Sequence, residues 1–114
     1  MQKKPSILVV CRWGNIRSVA FAYLLKKEGF DALACGVMAS SAPTLEMLAN
    51  WAQVIFIVDS VYRSYIPANY HHKVIDAQIG EDIWKDANNP ELKTIARRSY
   101  YANKAKLWEL THSL

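Results

Sequence analysis

Apolar residues fall in short unbroken blocks separated by longer stretches of helical period. Residues 6–10 (Ser-Ile-Leu-Val-Val) and 54–58 (Val-Ile-Phe-Ile-Val) have strand length and no polar alternation, the pattern of strands covered on both faces. Residues 30–34 make a second strand that ends at Cys35-Gly36, and residues 73–75 a short fourth. Residues 19–28 run without a breaker up to Gly29 and predict a helix. Ser40, Ser41, Pro43 and Thr44 open another, with Leu45, Leu48 and Ala52 on one face and Trp51 at its end, read as core. Ser60 is the expected cap of a turn or two of helix that Pro67 stops, with Tyr62 and Tyr65 read as packing on the sheet in preference to lining the rim of a pocket. His71 and His72 read as solvated loop residues. Neighbours in an extended chain point apart and no further ligand stands at helical spacing, which argues against a metal. Asn89-Pro90-Glu91 starts a long final helix whose inner face carries Leu92, Ile95, Ser99, Leu107 and Leu110. Its wet face carries Arg97, Arg98, Lys104 and Lys106, with Tyr100-Tyr101 as ordinary surface. Strand and helix alternate, so the class is α/β with a parallel sheet and helices on both faces.

Between the first strand and the first helix lies Cys11-Arg12-Trp13-Gly14-Asn15-Ile16-Arg17-Ser18. A loop that curls round the start of the helix brings the amides of Trp13 to Arg17 toward one point, with the positive end of the helix dipole behind them. Such a field suits a dianionic phosphate or arsenate. Arg17 supplies a planar fork for two oxygens. Cys11 lies at the floor of the cradle, where a thiol ionises readily and becomes a nucleophile. Ser18 is placed to donate its hydroxyl to that sulfur. The candidate phosphate-binding set is therefore Arg12, Trp13, Gly14, Asn15, Ile16, Arg17 and Ser18. The plain alternative is a small buried cysteine closing a strand, with no chemistry.

The chain has 114 residues, 52% hydrophobic and 21% charged, which fits one globular domain over residues 1–114. No apolar run reaches membrane length, and residues 1–5 lead straight into a strand, so the expectation is a cytoplasmic protein without a membrane partner. Two cysteines give no disulfide framework. The formal charge of +4 favours acidic ligands, but Lys3-Lys4, Lys26-Lys27, Arg97-Arg98 and Lys104-Lys106 are scattered and lack a nucleic-acid motif. A phosphorylated partner explains the charge as well. If the loop hydrolyses a phosphomonoester, one carboxylic acid must protonate the leaving oxygen and then activate water; Asp76, Asp82 and Asp86 in the acidic segment are the candidates.

Cysteine, five residues, arginine and serine, set on the first strand with Gly14-Asn15-Ile16 inside the loop, resembles the low-molecular-weight protein tyrosine phosphatases, closest to their short bacterial branch. Cys35-Gly36, Thr44-Leu45 with Trp51-Ala52, and Gly80-Glu81-Asp82-Ile83-Trp84 fall where the family has its later motifs. One feature departs: Gly14 comes three residues after Cys11 rather than two, because Arg12 and Trp13 both intervene. The resemblance implies a four-stranded parallel sheet in the order 2-1-3-4. It implies hydrolysis of a phosphotyrosine protein or a small phosphomonoester through a phosphocysteine, with neither metal nor cofactor. It also implies Cys11 as nucleophile, Arg17 as anion clamp, Asp82 as acid with Asp76 second, and Trp13 and Trp84 as a wall for the substrate ring. Two other classes stay open: a cysteine phosphocarrier like those of sugar phosphotransferase systems, which needs neither Arg17 nor Asp82, and an inactive phosphate-binding module. Cys35 is either a small buried residue, the simpler reading, or a resolving thiol for oxidised Cys11.

Overall fold

Every residue of β1 (Ser6–Cys11) is buried, as a strand with no polar alternation must be. The structure is a computed structural model and describes residues 4–112, so Lys3 and the residues before it lie outside the described part. β1 pairs in parallel with β2 (Asp31–Gly36) on one side and β3 (Val54–Ile57) on the other, and β4 (Val74–Asp76) joins β3. The order is β2-β1-β3-β4, with β1 and β3 central.

Three α-helices cover the sheet: α1 (Arg17–Lys27), α2 (Ala42–Trp51) and α3 (Pro90–His112). The β1-α1-β2 crossover moves toward one edge and β2-α2-β3 moves back past β1. Right-handed crossovers therefore put α1 and α2 on opposite faces. α3 packs beside α1. Phe21 of α1 meets Phe56 of β3 with ring centroids 4.8 Å apart, both fully buried; truncating either to alanine costs about 3–5 kcal/mol. Ser41 caps α2 by accepting from the Thr44 N–H at 3.3 Å. Asn89 caps α3 by accepting from Glu91 and Leu92 at 2.9 and 3.2 Å.

Several local expectations are corrected. Asp59, not Ser60, caps the 3-10 helix Ser60–Tyr65, accepting from the Val61 N–H at 3.1 Å. His71 and His72 lie in a second 3-10 helix, Ala68–Lys73, rather than a loop, with His72 exposed as expected and His71 half-buried. The His71 Nε2 sits 3.1 and 2.7 Å from the carbonyls of Arg63 and Ile66, so it ties the two short helices together. Tyr100 is buried, with only Tyr101 of that pair at the surface. Among the described residues no helix is long and apolar enough to cross a membrane.

Candidate active site

Cys11 ends β1 opposite Gly36 of β2, and the chain then turns through residues 12–16 into α1. Pairing continues past the strands, since Val37 and Met38 donate to the carbonyls of Cys11 and Arg12 at 2.9 and 2.8 Å. Gly14 adopts φ +77°, which L side chains avoid. A Cβ there would stand 2.6 Å from the Gly36 nitrogen, and a Cβ on Gly36 would fall inside the backbone of Trp13 and Gly14. The loop thus lies directly on the end of β2, backbone against backbone, with a glycine on each side of the contact. This is where the glycine displaced by Arg12 and Trp13 finds its role.

That turn aims the Gly14 N–H at the Cys11 sulfur, 3.0 Å away, and the Ser18 Oγ lies 3.0 Å from the same atom. Both contacts stabilise negative charge on sulfur. The residue before α1 is Ile16, which has no side-chain oxygen to cap with. The N–H groups of Trp13, Asn15, Ile16 and Arg17 have no hydrogen-bond partner among the described residues. α2 and α3 close their first turns with side chains and α1 does not, so its dipole end stays open toward the sulfur.

Arg17 is 2% exposed, which makes partners for its charge obligatory. Nη1 donates to the Gly80 carbonyl at 2.7 Å, Nη2 to the Tyr62 hydroxyl at 2.9 Å, and Nε stands 3.7 Å from the Asp82 carboxylate. The guanidinium also lies 5.5 Å from the centre of the Tyr62 ring. The remaining N–H groups of the fork have no acceptor among the described residues. One side chain therefore joins the phosphate-type loop to the segment after β3 and to the acidic segment after β4. That segment is itself fixed: Ala77 and Ile79 donate to Ile57 and Val58, and Ser99 of α3 donates to the Ala77 carbonyl.

Of the acids, Asp82 alone contacts Arg17. Asp76, at the end of β4, accepts from the Gln78 N–H at 2.9 Å and lines a hollow of about 270 Å³ with Asp59, Ser60 and Gly80, the residue whose carbonyl receives Arg17. Asp86 accepts from the Asn88 N–H and serves a turn. Trp84 is half-buried against the core, whereas Trp13 is 52% exposed at the mouth of the loop. Arg12 and Asn15 are exposed, and the Asn15 amide makes no hydrogen bond among the described residues; Ile16 packs on the core. Tyr62 and Gly36 are the residues that sequence reasoning undervalued. A tyrosine two residues into a short helix reads as packing, and a glycine closing a strand reads as nothing more than the strand's end.

Cys35 is free and buried, and burial pushes its thiol up to about 12, with the Cys11 sulfur adding to the effect. Its register partner is Val10, so its side chain leaves the sheet on the face opposite that of the strand position of Cys11. Among the described residues no group of three His, Cys, Asp or Glu side chains is arranged to hold a metal ion.

No family model matches the sequence, and no curated protein matches it. Two solved structures superpose on nearly the whole chain. The YwlE arginine phosphatase from Geobacillus stearothermophilus is 20% identical, with 96% of this chain and 98% of that chain covered and a TM-score of 0.61. Wzb from Vibrio vulnificus, in complex with benzylphosphonate, is 16% identical, with 93% and 97% covered and a TM-score of 0.59. At these identities the likeness is one of fold. The chain has the fold of the low-molecular-weight protein tyrosine phosphatases, as the resemblance implied.

Proposed function

We propose that this chain is a cysteine-dependent phosphomonoester hydrolase whose substrate is phosphotyrosine on a protein or a small aryl phosphate. The reading is carried by the Cys11 sulfur, which receives the Gly14 N–H and faces the Ser18 hydroxyl at the open N-terminus of α1. The sulfur anion attacks phosphorus, the S–P bond forms and the P–O bond to the alcohol breaks. The loop amides and Arg17 hold the three spectator oxygens as charge builds on them. Asp82 gives its proton to the leaving oxygen. A water molecule then attacks the phosphocysteine, returns a proton to Asp82, and releases phosphate and the original sulfur anion. A reducing, cytoplasmic setting belongs to the proposal, since it keeps Cys11 a thiol.

Arg17 and Asp82 favour hydrolysis over a phosphocarrier, for a carrier needs no acid to protonate an alcohol. The exposed Trp13 ring at the mouth favours an aromatic bearer for the phosphate. Steady-state hydrolysis of an aryl phosphate tests the nucleophile: Cys11→Ser is expected to abolish turnover, and retained activity refutes the assignment. Asp82→Ala is expected to lose about 10²–10⁴-fold with a poor leaving group and much less with a good one. Equal losses with both move the acid to Asp76. Comparing phosphotyrosine with phosphoarginine tests the substrate class, and faster turnover of phosphoarginine contradicts the aryl preference.

A further inference from the structure

Away from the cysteine loop, α1 and α3 leave a groove of about 340 Å³ between them. Its rim carries Lys26, Lys27, Lys93 and Arg97, and no acidic residue lines it. Four of the fourteen Lys and Arg side chains of the chain therefore border one hollow, although along the sequence the basic residues look scattered. The floor is apolar, made by Ala20, Leu24 and Ala96. Tyr23 lines the same groove with its side chain 53% exposed, an aromatic surface lying open beside the charges. The volume suits a small molecule rather than a folded partner.

We infer that this groove binds a nucleoside di- or triphosphate. Each half of such a ligand answers one half of the site. A flat base meets the Tyr23 ring and the apolar floor, and a polyphosphate meets lysines and an arginine that have no carboxylate among the groove residues to neutralise them. The groove is distinct from the cysteine loop, since Lys26 lies about 14 Å along α1 from Arg17. Its wall also includes Ala87 and Asn88, which close the acidic segment carrying Asp82. A ligand there touches the end of that segment without touching the sulfur.

Calorimetric titration of the full chain with ADP, adenosine and pyrophosphate tests the assignment. ADP is expected to bind at least about tenfold more tightly than either fragment, because only ADP satisfies both halves. Lys93→Ala with Arg97→Ala, and separately Tyr23→Ala, are expected to weaken ADP by about tenfold while leaving the melting temperature unchanged, since all three side chains are exposed. Cys11→Ser is expected to bind ADP as the parent does, so failure of the hydrolase reading and failure of this one are told apart. The inference is overturned if ADP does not bind or if pyrophosphate binds as well as ADP. It is equally overturned if the groove variants leave ADP affinity unchanged, if Arg17→Ala abolishes binding, or if an oligoglutamate peptide binds more tightly than ADP.

Discussion

Arg17 shows how a single buried charge organises its surroundings. A guanidinium at 2% exposure is tolerable only with acceptors around it, and here they come from Gly80, Tyr62 and Asp82 on two other segments. Removing one acceptor loosens the fork before it disturbs the core. Tyr62→Phe is accordingly expected to raise KM for an aryl phosphate, and the inhibition constant of inorganic phosphate, by about 3–10-fold, the scale of one ordinary hydrogen bond acting through Arg17 rather than on the substrate itself. Unchanged values for both, with a lowered melting temperature, make Tyr62 a packing residue only. Gly36 is held by geometry instead. Gly36→Ala drives a methyl into the backbone of Trp13 and Gly14, so the loop must lift off β2. The expected result is a loss of about 1–3 kcal/mol in urea unfolding together with loss of anion binding, whereas a wild-type profile contradicts the close packing.

At the level of elements, the parts legible in the sequence were those with a local cause. The unbroken apolar runs of β1 and β3, the cap at Asn89 and the proline after it, and the loop spacing from Cys11 to Arg17 all follow from neighbours in the chain. What stayed hidden depended on distant partners. The 3-10 helix at Ala68–Lys73 is held by His71 reaching back to Arg63 and Ile66, and no local pattern announces that contact. Tyr62 reads as an ordinary apolar residue until α1 delivers a guanidinium to its hydroxyl. Tyr100 reads as surface until α3 is seen to press it inward. The asymmetry among helix starts has its own consequence. α2 and α3 carry side-chain caps and α1 does not, so an anion is expected to stabilise this fold through α1. Saturating inorganic phosphate or vanadate should raise the melting temperature of the parent and not that of Arg17→Ala. Equal shifts in both contradict an anion site at that helix start.

For the whole molecule, the burial that protects Cys35 sets a limit on alkaline stability. In the unfolded chain its thiol ionises near its ordinary value of about 9, and in the folded chain only near about 12. Between those values the unfolded state has released a proton that the folded state keeps, so stability is unaffected below about 9 and falls as pH rises through the window. Burial pushes Tyr100 in the same direction, with Glu28 and Tyr101 contributing. Urea midpoints measured across that range should decline in the parent and decline less in Cys35→Ala. Identical slopes rule out Cys35 as a contributor.

The central claim is that phosphorus passes through the Cys11 sulfur at the open end of α1. Its most direct measurement is intact-mass spectrometry, followed by peptide mapping, on Asp82→Ala quenched in acid during turnover of an aryl phosphate with a good leaving group. The expected result is one phosphoryl group on the peptide bearing Cys11, absent when Cys11→Ser is added. Turnover with no phosphorylated peptide, or a phosphoryl group on any other residue, contradicts it.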